Sequence, residues 1–158
     1  MNEDSILPLS PDVAEELPDD LHEEIEGLAE EGNELLDAGD ARGALRIWRE
    51  AFGRLPEPRN RWDAAMWLHA SMAEAHYGLG DFGAARDAMQ DALAIPESGG
   101  NPWLHYMLGK SLLRLGDARA VEALLRAYML EGEDLFDEDG EDGAAALAVL
   151  REHGLLDD

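Results

Sequence analysis

Apolar residues recur at three-and-four spacing along most of the chain, interrupted at regular points by Gly-Asp pairs and prolines. From Asp19 onward Ile25, Leu28, Ala29, Leu35 and Leu36 mark one face of a helix, which Gly39-Asp40 breaks. Asp19 or Asp20 is placed to cap its start, and Ser10 to cap a shorter helix entered through Pro11 and stopped by Pro18. A second stripe, Ala44, Leu45, Ile47, Trp48, Ala51, Phe52 and Leu55, ends at Pro56 and Pro58. The same grammar predicts helices over about 61–79 and 82–95 around Gly80-Asp81, with Pro96 as the stop. It predicts two more, from Pro102 to Leu115 and on to about Leu130, around Gly116-Asp117. An acidic, glycine-containing stretch at 131–143 reads as a loop, followed by a short helix at about 144–153. No segment alternates with period two over a β-branched run, so the fold class is all-α.

The helices pair through Gly39, Gly80 and Gly116, at intervals of 41 and 36 residues. The later two units repeat openly: Trp67-Leu68-His69 and Leu79-Gly80-Asp81 return 36 residues on as Trp103-Leu104-His105 and Leu115-Gly116-Asp117. Small residues stand where paired helices would touch. They are Gly32, Ala44 and Ala51 in the first unit, Ala73, Ala85 and Ala92 in the second, and Gly109, Ala120 and Ala127 in the third, once one deletion after its turn is allowed. On these residues the chain resembles the tetratricopeptide repeat family, a helical hairpin of about 34 residues with a proline after the second helix. It departs from the pattern at Glu31, where an apolar residue is usual, and at Leu35, His76 and Leu112, where a tyrosine is usual. The resemblance implies a right-handed solenoid of about three hairpins, with a short N-terminal segment and a C-terminal capping helix. The resulting organisation is an acidic segment at 1–18, a repeat domain at 19–131 (units 19–58, 61–97 and 101–131), and an acidic loop with a helix at 132–158.

Charge sharpens this picture. The 158 residues carry 36 Asp and Glu against 12 Lys and Arg, a net −24, and the excess is confined to the ends. Residues 1–41 hold −15, residues 42–130 hold +1 and residues 131–158 hold −10. Nucleic acid is excluded as a partner, because binding a phosphate backbone draws its affinity from Lys and Arg. An anionic membrane surface is disfavoured on the same ground, and no apolar window is long enough to span a bilayer. No cysteine is present and the N-terminus lacks the pattern of a signal peptide, so the expected location is cytoplasmic.

Catalytic and metal chemistry find no foothold in the sequence. His69 and His76 lie seven apart rather than four, and HExxH is absent; His69 and His105 read as packing residues. An EF-hand starting at Asp137 would place Asp142 where glycine is required and Ala148 where glutamate is, so Asp134–Asp142 reads as a solvated acidic loop. Gly78-Leu79-Gly80 lies at a helix end without the strand a phosphate loop needs, and no serine has the context of a nucleophile. No enzyme activity, cofactor, metal or small-molecule substrate is expected.

Recognition of another protein remains. In the resembled family the first helix of each pair lines a concave groove. Matched residue by residue, that implies Glu26, Asn33 and Asp37 in the first unit, Trp67, Glu74 and Tyr77 in the second, and Trp103, Tyr106, Lys110 and Arg114 in the third. Trp67 and Trp103 read equally as groove aromatics or as inter-repeat packing. The cationic half of a clamp for C-terminal carboxylates is missing, since Glu26 and Ala29 occupy its positions. Glu23, Glu26 and Glu30, with Glu24, Glu31 and Glu34, crowd one helix with like charges at a cost of a few tenths of a kcal/mol per pair, which a basic protein partner would offset. Finally, Leu125 to Gly132, followed by Leu135-Phe136, is similar to the C-terminal end of small bacterial repeat proteins encoded beside polymorphic toxins. That resemblance implies an immunity protein occluding a basic toxin domain; an adaptor or secretion chaperone holding a client in the groove is the alternative.

Overall fold

A computed structural model describes residues 17–156. The short helix expected around Pro11 lies outside the described residues. Three helical hairpins succeed one another: α1 (Asp19–Asp37) with α2 (Ala41–Gly53), α3 (Asp63–Gly78) with α4 (Phe82–Leu93), and α5 (Pro102–Arg114) with α6 (Ala120–Glu131). A short helix α7 (Asp134–Asp137) leads into α8 (Gly140–Glu152), and among the described residues there is no strand. Each helix packs chiefly on its chain neighbours, which gives the right-handed stack of tetratricopeptide-like hairpins.

One dipeptide builds all three hairpin turns. Gly39, Gly80 and Gly116 have φ of 88°, 81° and 71°, a left-handed backbone that costs glycine nothing. In each, the glycine N–H donates to the carbonyl three residues back (Leu36, Tyr77, Leu113) and the following aspartate N–H to the carbonyl five back (Leu35, His76, Leu112). That pair of bonds is the Schellman closure of a helix C-terminus. The aspartate then opens the next helix: Asp40 accepts from Gly43 N–H at 2.9 Å and Asp81 from Ala84 N–H at 3.2 Å. The third turn differs, as its deleted residue implies. Asp117 accepts from Arg119 N–H at 2.9 Å, and α6 starts only at Ala120.

The small residues work as close-approach points. Gly32 faces the indole of Trp48, and Gly109 faces Leu124, with no room for a methyl group between them. Trp48 is 1% exposed and donates from Nε1 to the Ala29 carbonyl at 3.1 Å, which locks α1 onto α2. Its neighbours Leu45, Leu55, Leu68 and Met72 carry the core from the first hairpin into the second. Met89, Leu104 and Met107 carry it from the second into the third.

Two expectations are corrected. The start of α1 is capped by neither Asp19 nor Asp20: both lie inside its first turn, where negative charge suits the helix dipole, and Pro18 occupies the cap position. The stretch 131–143 is no solvated loop. It folds into α7 and the first turn of α8, because Phe136, Ala146, Leu147 and Leu150 bury against Tyr106, Leu124 and Ala127. Phe136 is fully buried edge-on to Tyr106, with ring centroids 5.0 Å apart. Gly143 lies so close to the Phe136 carbonyl that any side chain would collide with backbone there. The acidic helix α1 is also less isolated than its sequence implies, since Arg54, just past the end of α2, pairs with Glu24 and with Glu50.

Candidate functional site

The repeated Trp-Leu-His triplets show how α3 and α5 present a face. In each, the leucine is core (Leu68 2%, Leu104 0% exposed) and the histidine braces the loop before its own helix. His69 Nε2 meets Asn60 Oδ1 at 2.9 Å, and His105 Nε2–H donates to the Gly99 carbonyl at 2.7 Å. Burial pushes the His69 imidazole below its ordinary range, with Asp91 opposing. The tryptophan falls on the face where the cavities open. Trp67 is 55% exposed, whereas Trp103 is half-buried against the second core cluster and also lines the concave face.

Two cavities lie along that face. The first, about 600 Å³, runs between α1 and α3. Ile25, Ala29, Ala64 and Leu68 supply apolar wall; Asp19, Glu26, Asn33 and Asp63 supply polar rim; and Trp67 stands exposed among them. Among the described residues lining it there is no Lys or Arg. His22 is there, 3.6 Å from the Glu26 carboxylate and on the outer turn of α1.

The second cavity, about 490 Å³, lies between α3, α5 and the α7–α8 segment. Here the acids of the C-terminal segment meet the cations of the third unit. Lys110 Nζ is 2.7 Å from Asp139 and 3.6 Å from Asp142, and sits 4.4 Å and 5.4 Å from the ring centres of Tyr77 and Tyr106. Tyr77 donates to Asp142 at 3.0 Å, Arg114 pairs with Asp142 at 3.2 Å, and the Tyr106 hydroxyl donates to Asp139. Partial burial pushes the Asp142 carboxyl up, but bonds from Tyr77 and Arg114 and the charge of Lys110 outweigh this and hold it below the ordinary range. Burial, and then the bond to Asp142, pushes the Tyr77 hydroxyl up to about 12. Glu74 faces the same space. Its enclosure raises the carboxyl, Lys110 opposes this, and Asp37 and Asp139 add to it.

The expected partner-binding residues therefore separate into three groups. Glu26, Asn33 and Trp67 line the first cavity. Glu74, Tyr77, Trp103, Tyr106 and Lys110 line the second, with Arg114 at its margin. Of these, Tyr106 and Lys110 are buried, at 2% and 8% exposed, and their polar atoms are engaged by the chain's own acids, which removes them from the open surface. Glu23 and Glu30 are exposed on α1 and line neither cavity; Asp37 lies exposed at its end. Asp139 and Asp142 join the site as well, although the sequence pattern marks them as part of a solvated acidic run. Their signal was positional, because 139, 142, 146 and 150 fall on one helix face with the buried apolar residues, and acids on such a stripe face inward.

Stacked hairpins with an aromatic concave face make this a tetratricopeptide-like helical repeat protein in fold. Residues 66–91 and 102–127, which cover most of α3–α4 and α5–α6, match the tetratricopeptide repeat model; the α1–α2 hairpin lies outside those two stretches. Among solved structures, the crystal structure of MamA is similar, with a TM-score of 0.62 over 83% of this chain and 69% of that one, at 18% identity. Among the described residues no helix is long and apolar enough to cross a membrane.

Proposed function

We propose that this chain is a non-catalytic protein-binding module, and that it acts as an immunity protein, occluding a basic toxin domain held against its concave face. The open cavity between α1 and α3 carries this reading. Its rim is acidic, its wall is apolar, it exposes an indole, and no Lys or Arg is among the described residues that line it. An interface of that kind gains speed and selectivity from charge and affinity from the aromatic anchor. Many toxin domains that attack nucleic acids or nucleotides are basic, and a −24 chain complements them. The similarity of Leu125 to Gly132 and Leu135-Phe136 to repeat proteins encoded beside polymorphic toxins supports the same assignment.

The test is co-purification with basic toxin domains of the kind encoded beside such repeat proteins, followed by stoichiometry and a toxin assay. A 1:1 complex with a folded toxin domain and loss of its activity is expected. A toxin that stays fully active while bound refutes the immunity role. A client held only while unfolded would mark a secretion chaperone instead.

A further inference from the structure

The two ends of the concave face pose the same chemical arrangement in two states. At the third unit, a cation lies against aromatic rings and is held by two carboxylates: Lys110 with Tyr77, Tyr106, Asp139 and Asp142. Arg114 repeats it alongside, 5.6 Å from Tyr77 and 5.1 Å from Phe82, with Asp142 as its acceptor. In the first cavity an exposed aromatic ring, Trp67, again shares a wall with carboxylates, Glu26 from α1 and Asp63 one turn before it on α3. There, however, none of the described lining residues is a Lys or Arg, and the one imidazole, His22, lies 3.6 Å from Glu26.

We infer that the cavity between α1 and α3 is a site for an arginine side chain borne on a segment of the partner, its guanidinium stacked on Trp67 and bonded to Glu26 and Asp63. The inference rests on the protein-binding reading above and names the chemistry that the groove recognises. Arginine fits better than lysine for three reasons. Its planar group stacks on an indole while its N–H groups stay free in the plane, its fork can serve two acceptors at once, and it is the less costly cation to strip of water. The apolar wall of Ala29, Ala64 and Leu68 accommodates the methylene stem. The occupant is confined to this half of the groove, because in the other cavity Lys110 and Arg114 already hold the carboxylates of Asp139 and Asp142.

The test uses the whole chain and short amidated peptides that carry two arginines, two lysines or two glutamates in a glycine–serine background. Binding is followed by tryptophan fluorescence and by the indole N–H signals in NMR. The arginine peptide is expected to bind several-fold tighter than the lysine peptide, to leave the glutamate peptide behind altogether, and to shift the Trp67 signal. Trp67→Ala should weaken arginine-peptide binding about fivefold. Trp67→Phe should recover part of the loss, which keeps the test valid if the alanine variant folds poorly. Glu26→Gln with Asp63→Asn should weaken binding at least as much. The same change in net charge at Glu122 and Glu131 on α6 should leave it nearly unchanged.

Equal weakening by the groove pair and the α6 pair would overturn the site and leave only a diffuse acidic field. Self-association abolished by Glu26→Gln would overturn it in favour of a second copy as occupant. The two proposals fail separately. A toxin domain neutralised equally well by wild type and by the Trp67, Glu26 and Asp63 variants would retain the immunity role and remove this site. Arginine peptides seated on Trp67, with no toxin domain bound, would do the reverse.

Discussion

Two glycines five residues apart on α1 should respond oppositely to the same substitution. Gly27 is exposed in mid-helix, and a methyl group added there meets nothing within 4 Å. Gly27→Ala gains only the helix-propensity difference, about 1 kcal/mol. At Gly32 the added carbon would lie 2.2 Å from Trp48 Nε1 and 2.6 Å from its Cε2. The indole cannot swing aside freely, because it is 1% exposed and bonded to the Ala29 carbonyl at 3.1 Å. Overpacking of that kind costs about 1–3 kcal/mol, and a displaced indole loses a hydrogen bond worth about 1 kcal/mol. Against the same propensity gain of about 1 kcal/mol, Gly32→Ala comes out destabilising by about 2 kcal/mol. In a domain of this size the pair should part by roughly 6–12 °C in melting temperature, Gly27→Ala moving up and Gly32→Ala down. Urea unfolding followed by tryptophan fluorescence gives the same comparison as midpoints. A Gly32→Ala chain as stable as wild type would refute the claim that this glycine is required by the Trp48 contact.

Other positions make equally direct tests. Lys110→Met should weaken the tie between α5 and α8 by about 1–3 kcal/mol, since it takes the shared cation from Asp139 and Asp142 and leaves them only the bonds from Tyr106, Tyr77 and Arg114; faster amide exchange in α8 is the readout. Asp40→Ala and Asp81→Ala should each cost about 1 kcal/mol in urea unfolding, whereas Asp117→Ala, which removes no cap bond inside α6, should change less. The folded chain holds the His69 imidazole below 6.5 and so refuses a proton that the unfolded chain accepts. Its stability contribution is therefore full above that value and is lost as pH falls below it, and a smaller drop in urea midpoint from pH 7.5 to pH 5.5 in His69→Gln than in wild type checks this.

The hairpins were legible because their punctuation is local. A Gly-Asp pair specifies a left-handed residue and then a cap, and both needs are met within a few residues of chain on either side, so Gly39, Gly80 and Gly116 announce the turns without tertiary knowledge. The repeated tryptophans were legible as equivalents but not in their fate. Trp103 packs onto the second core cluster while Trp67 faces the open cavity beside α1, a difference set by neighbouring helices and not by the shared triplet. The acids of the C-terminal segment look solvated in sequence because charge runs usually are. Their role depends on cations 28 to 32 residues back, a pairing that no local pattern expresses. The candidate site shows the same limit. Glu26 and Asp63 lie on different helices, and only the stacking of α1 against α3 brings them to one cavity.

The bond from Tyr77 to Asp142 joins residues 65 apart and skips a whole hairpin. In a stack held only by nearest-neighbour interfaces the last unit has a single neighbour, so it frays first and on its own. Here the closing helix also grips the unit before last. Opening of α8 must release Asp142 from Tyr77 in the second hairpin as well as from Arg114 in the third, so the C-terminal half unzips as one cooperative block. Slow hydrogen exchange should then extend across α3, α5 and α8 with a shared opening free energy, instead of declining step by step toward the end.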